Sequence, residues 1–311
     1  MAARNGSSAD ANGSANGPAR LAVRKTYKLY INGDFPRSES GRSYVVSRPS
    51  GQPIANAVRG SRKDLRDAVR AARAAFEPWA NRTAMNRGQI LYRAAEVLEG
   101  RRDQFVDEVV EAEGVRRPRA IELVGRSIDR WVWYAGWADK ISQVLGGVNP
   151  VGAPYFNFTI PEPTGVVGIV APEASSLLGL VSRLAPMLAA GDTTVVVCSE
   201  SRPLPAISMA EVLATSDLPK GVVNLLTGRK SELVPVLAAH DDVDTIDTWG
   251  VAGAMQEAVE MAASEDIKRL VRRPRGVRDE AFDWLDDRAA QRPEWIVAGL
   301  EMKTVWHPIG V

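Results

Sequence analysis

A chain of 311 residues, 45% hydrophobic and 25% charged, can bury a sizeable core and does not have the composition of a disordered protein. Thirty-nine basic residues against 38 acidic ones leave a formal charge of +1, too little field to hold a nucleic acid or an anionic membrane. One cysteine, Cys198, and two histidines, His240 and His307, exclude a disulfide framework and offer no metal cluster, so a cytoplasmic, metal-free protein is expected.

Residues 1–25 form a Gly/Ala/Asn/Ser tail without an apolar signal core and are expected to stay mobile. YKLYINGDFP then alternates and breaks at Asn32-Gly33-Asp34, the pattern of a short hairpin, and a second turn follows at Pro49-Ser50-Gly51. Ser61 and Asp64 stand at capping-box spacing before Leu65, Val69, Ala72 and Phe76, which recur at helical intervals. Helical patterns continue from about Met85 to Leu98, through Phe105 to Val110, and from Ile121 to Ile141. The last carries Trp131, Trp133, Tyr134 and Trp137, an aromatic stripe read as core or subunit contact.

From Thr164 the texture changes. VVGIVA, TTVVVC, GVVNLLTG, VDTID and IKRLV are short apolar runs separated by single helical stretches, a βαβ series. It predicts a doubly wound α/β fold with a parallel sheet covered on both faces. Ligands of such sheets bind beyond the carboxyl ends of the strands, which singles out the loops 172–176, 198–202, 227–230 and 249–253. The charged stretch 277–295 reads as a solvated linker and short helix, and 296–311 as a strand without an evident partner in its own sheet.

Several side chains admit two readings. Cys198 lies near a strand end and could face the crevice, but it has no histidine nearby in sequence, and a small residue filling the strand end is favoured. Glu173 and Glu200 lie in crevice loops and could hold a ribose or a cation. The arginines at 269, 272, 273 and 275 read as a solvated face rather than a phosphate clamp, and His240 as a surface or cap residue. The strand carrying Met302, Thr304 and Trp306 reads either as a local edge strand or as a strand added to another chain.

EPTGVVGIVAPEASSLLGLVSRLAPMLAAGDTTVVVCSESRPLPA, followed by LPKGVVNLLTG and AAHDDVDTIDTWG, resembles the cofactor domain of the NAD(P)-dependent aldehyde dehydrogenases. The likeness runs from about Tyr30 to Gly276, so residues 26–276 are taken as the N-terminal and cofactor-binding unit. It implies a Rossmann-like domain, a site for NAD or NADP, and assembly into oligomers.

Carried over residue by residue, most of the family's chemistry is replaced. The oxyanion-hole asparagine falls at Ala174, which has no such donor, and losing one donor generally costs on the order of a hundred- to a thousandfold in turnover. The ribose-binding lysine falls at Val197, while Glu200 keeps its acceptor. Gly228 and Gly250 keep the loop glycines implied for cofactor binding, with Trp249 bulky where phosphate would approach. The general-base glutamate falls at Arg273, which stays protonated. The family's catalytic domain would follow, with its nucleophilic cysteine; here a charged stretch leads to AGLEMKTVWH, similar to the family's C-terminal association strand. The resemblance thus implies a member with its catalytic domain deleted, inactive alone, with NAD or NADP binding weakened or lost. It would act as a non-catalytic subunit of a homo-oligomer, or of a hetero-oligomer with a full-length aldehyde dehydrogenase, through the 157–161 hairpin region and that strand. An NAD(P)-binding module or sensor, and an aldehyde oxidoreductase active only within a complex, are the alternatives.

Overall fold

The computed structural model describes residues 23–309. Most of the tail expected to be mobile lies outside them. In chain order the elements are β1 (Thr26–Tyr27), β2 (Ser43–Ser47), β3 (Pro53–Val58), α1 (Arg62–Ala80), α2 (Ala84–Gly100), α3 (Arg102–Glu113), α4 (Arg117–Trp137), α5 (Ile141–Leu145), β4 (Gly147–Asn149) and β5 (Tyr155–Pro163). There follow β6 (Val166–Val170), α6 (Leu178–Ala190), β7 (Thr193–Val197), α7 (Leu204–Ala214), β8 (Val223–Leu226), α8 (Lys230–Ala238), β9 (Thr245–Asp247), α9 (Ala254–Glu265) and β10 (Arg269–Val271). A 3-10 turn (Asp279–Ala281), α10 (Asp287–Ala290), α11 (Pro293–Val297) and β11 (Leu300–Pro308) complete the chain.

The central sheet is parallel, five-stranded, in the order β10-β9-β6-β7-β8. Successive strands are joined by single helices, so the sheet is covered on both faces, and every residue of β6, β7, β8 and β9 is buried. Side chains alternate between two cores. Val167, Ile169 and Val196 join the core under α6, α7 and the N-terminal helices, while Val166, Val170, Val195 and Val197 join the one under α1 and α8. Because the chain runs outward from β6 to β8 and then returns to place β9 on the other side of β6, the switch point lies between β6 and β9.

Local signals read from the sequence are realised. Asp64 N–H donates to Ser61 Oγ (3.2 Å) and Ser61 N–H to Asp64 Oδ2 (2.7 Å), the reciprocal cap of α1. Ile31 and Asp34 exchange backbone bonds across Asn32 and Gly33, whose φ angles are +53° and +78°. The turn does not open a free hairpin, because Tyr30 bridges to Leu225 of β8. Trp131 and Tyr134 are fully buried in the core.

Two expectations are overturned. The stretch 277–295 is not a free linker but is anchored to the core, with most of its charged side chains left exposed: Arg130 of α4, itself buried, donates to the carbonyls of Trp284 (3.2 Å) and Ala290 (2.7 Å), and Trp284 and Ala290 are buried. Its charges alternate with aromatic residues that find a hydrophobic gap, which charge pattern alone does not reveal. The terminal strand, read as having no evident partner in its own sheet, has one in its own chain: β11 runs antiparallel to β5 from Leu300↔Pro163 to Pro308↔Tyr155. With β4 they form a separate sheet, in the order β11-β5-β4, in which β11 is an edge.

Candidate functional site

All four loops singled out by the βαβ pattern meet at the carboxyl end of the central sheet. Glu173, in the loop after β6, is their hub. Its carboxylate accepts from Lys230 Nζ (2.5 Å), Ser199 Oγ (2.7 Å), the Glu200 N–H (2.8 Å) and Ser201 Oγ (2.9 Å). Burial is the largest influence on its pKa and pushes it up, but the nearby ammonium and these hydrogen bonds outweigh burial and hold it below the usual carboxylate value.

Lys230 enters from the first turn of α8 and bridges the switch point. Besides Glu173, its ammonium donates to the carbonyl oxygens of Ala171 (2.7 Å), beyond β6, and Gly250 (3.2 Å), beyond β9. Its side chain is 9% exposed. Glu200 is engaged through both oxygens, with Arg229 Nη1 at 2.5 Å and the Lys230 N–H at 2.9 Å. Arg229 also lies over the Tyr44 ring, 5.1 Å from its centroid. Tyr44, Val45, Ser47, Glu173, Glu200 and Ser201 help line the remaining open groove, about 520 Å³.

The two glycines serve packing here. A Cβ on Gly250 would collide with the Ala171 carbonyl and come within 2.7 Å of Lys230 Nζ. Gly228 has φ +155°, and a Cβ there would meet Leu233 at 2.9 Å. Trp249, expected near an incoming phosphate, points instead into the core beneath α6. There it packs edge-on to Phe282 and against Trp284, with centroids 4.8 and 4.7 Å away.

On the other side of the Glu173 loop stands Asp279, a residue sequence reasoning missed because it lies in the supposed linker. Its Oδ2 accepts from the Glu173 N–H (2.6 Å) and the Ala174 N–H (3.0 Å), and its Oδ1 from Trp249 Nε1 (2.9 Å). Below, the Arg183–Asp247 pair (2.6 Å) is buried, with the Arg183 guanidinium 4.2 Å from the Trp295 ring centroid. Arg273, after β10, donates to the Val251 carbonyl at 2.7 Å and stands with Ala174 at the same end of the sheet. Ala174 has no donor side chain, and Arg273, permanently protonated, is no base.

Cys198 faces the core with Val196 and is fully buried. Burial pushes its thiol up to about 12, so the space-filling reading stands. His240 lies at a turn, its Nδ1 accepting from the Asp242 N–H at 3.2 Å. The basic run is dispersed: Arg269 contacts the Leu300 carbonyl and Arg272 pairs with Glu260. Among the described residues no helix is long and apolar enough to cross a membrane.

A family model described as "Aldehyde dehydrogenase family" matches residues 35–273. Retinal dehydrogenase 2 of Gallus gallus is 35% identical over 258 residues, which cover 80% of this chain and 48% of that protein. Cytosolic 10-formyltetrahydrofolate dehydrogenase of Mus musculus is 33% identical over 257 residues, covering 81% and 28% respectively. Among solved structures, HpcC from Thermus thermophilus superposes with a TM-score of 0.74 at 29% identity, covering 79% of this chain and 48% of that one. The NAD+ complex of an aldehyde dehydrogenase from Bacillus cereus gives 0.74 at 27%, covering 79% and 50%. The chain therefore spans half or less of the length of these relatives.

Proposed function

The chain belongs to the aldehyde dehydrogenase family, and from that premise we propose that it is a catalytically silent member serving as a subunit of an assembly, with copies of itself or with a full-length aldehyde dehydrogenase. The observation that carries this reading is the sheet formed by β4, β5 and β11. Every residue from Glu301 to Pro308 is exposed, Trp306 to 59% and Met302 to 43%, and Phe156 on the neighbouring strand to 45%. An edge strand displaying such side chains is an aggregation hazard for a monomer and a natural docking strand for a partner.

Catalytic silence is supported by the side chains at the carboxyl end of the sheet. Ala174 offers no side-chain donor to an oxyanion, Arg273 cannot serve as a base, and the Cys198 thiol is buried and protonated. Any aldehyde oxidation in the assembly would then fall to the partner. A cytoplasmic location belongs to the same proposal; it accords with the single free cysteine and with relatives whose names call them cytosolic.

The test is the native mass of the purified chain, alone and mixed with a full-length aldehyde dehydrogenase, beside a Met302→Lys/Trp306→Lys variant. Both substituted side chains are exposed, so the fold should survive. A defined oligomer or complex that the variant fails to form is the expected result. A wild-type chain that stays monomeric in both settings, or an assembly indifferent to the two lysines, would remove the proposal.

A further inference from the structure

We propose that Lys230 and Glu173 form a built-in plug that shuts the dinucleotide out of the switch-point crevice. A dinucleotide bound between β6 and β9 needs donors free to meet its pyrophosphate and a backbone it can approach closely. Lys230 offers neither. An ammonium has three hydrogens, and all three are engaged by protein acceptors: the Ala171 carbonyl, the Gly250 carbonyl and Glu173 Oε1. The side chain thus ties together the ends of the two strands between which a ligand would enter, where both loops are already too close for a Cβ on Gly250.

Charge opposes entry as well. To reach these groups a pyrophosphate would have to displace the ammonium and leave Glu173 unpaired beside it, bringing like charges together. Glu200, the residue able to accept from a ribose, has one oxygen held by Arg229 and the other by the α8 backbone. The Glu173 loop is also held from behind: Asp279 accepts from two of its N–H groups, and Arg202 donates to the carbonyls of Glu173 (3.3 Å) and Ala174 (3.0 Å). The residues present therefore fit one another rather than NAD or NADP. This inference stands apart from the assembly proposal, since a subunit can dock through β11 with its crevice open or shut.

The experiment is titration calorimetry with NAD+ and NADP+ at millimolar concentration on the full chain, on a Lys230→Gly/Glu173→Ala variant and on the milder Lys230→Ala, with circular dichroism to verify folding. Wild type should show no binding, whereas the opened variants should bind at least one dinucleotide at least tenfold more tightly. Wild-type binding with a Kd below about 1 mM would overturn the plug. So would folded variants that bind no better than wild type; should the double variant fail to fold, Lys230→Ala decides by the same criterion. Native mass measured on the same samples keeps the two proposals separable, because oligomeric state should not follow the dinucleotide result.

Discussion

Lys230 Nζ lies 2.5 Å from Glu173 Oε1, joining the first turn of α8 to the loop after β6. The pair is asymmetric: the lysine side chain is 9% exposed and the glutamate 32%. Lys230→Met would strand the carboxylate and leave the carbonyls of Ala171 and Gly250 without their donor. Breaking a fully buried pair costs about 3–5 kcal/mol. Partial solvation of Glu173 lowers the expectation to roughly 2 kcal/mol, read as a fall in the denaturant midpoint at pH 7.

The same pair sets an acid limb. Glu173 titrates below its unfolded value because Lys230 and the surrounding hydrogen bonds outweigh burial. Its stabilisation is therefore present above the unfolded glutamate pKa, about 4.3, and is lost as pH falls through the lower folded value. Lys230→Met removes the largest of the influences that depress it, so the acid midpoint of unfolding should move to higher pH. An unchanged acid limb would show that the pair is not coupled to folding.

Arg183 and Asp247 form a second pair, with both side chains essentially buried. Asp247→Val alone should cost about 3–5 kcal/mol, because it leaves a guanidinium held only against Trp249 and Trp295. The Arg183→Met/Asp247→Val double variant should recover a large part of that loss. A double-mutant cycle in urea measures the coupling, and strictly additive losses would contradict it.

The parallel sheet and the four crevice loops are legible in the sequence because period and burial coincide there: strands such as VVGIV and TTVVV are apolar on both faces and each is followed by one helix. What the loops contain is less legible. Glu200, Gly228 and Gly250 stand at the crevice but are engaged by the protein itself, and nothing in the sequence singles out Lys230 within its loop. A lysine after a strand reads as surface until the distance between two carbonyls is known. Asp279 and Trp284 are hidden for a different reason: their burial depends on Arg130 and Trp249, which are distant in sequence and leave no periodic trace. The single-chain pairing of β11 with β5 is likewise a contact between distant segments, which alternation within either strand cannot specify.

Asp192 predicts an opposite pH dependence. Burial pushes its carboxyl well above the usual value, against hydrogen bonds from the Gly165 N–H (3.0 Å) and Thr164 Oγ1 (3.1 Å). A carboxyl raised on folding binds its proton more tightly in the native state. Its contribution is complete below the unfolded pKa, about 3.9, and declines as pH rises toward the folded value. Glu108 and Glu113, also raised by burial, act in the same sense. Asp192→Asn should flatten the decline in stability as pH rises above the unfolded value, about 3.9, as followed by chemical denaturation at a series of pH values. A slope identical to wild type would assign the dependence to other groups.

Cys198 offers a direct probe of the core. It is exposed to neither solvent nor the crevice, and its thiol is pushed up to about 12. At pH 8 the thiolate is then about one part in ten thousand, against a substantial minority for an exposed cysteine. A disulfide exchange reagent should leave the native protein unlabelled and should modify one thiol per chain in denaturant. Labelling under native conditions should follow the opening of the sheet, slowing when the protein is stabilised and accelerating in Lys230→Met in proportion to its lost stability. Rapid stoichiometric labelling of the folded wild type would mean that Cys198 reaches the crevice, and would restore it as a candidate nucleophile.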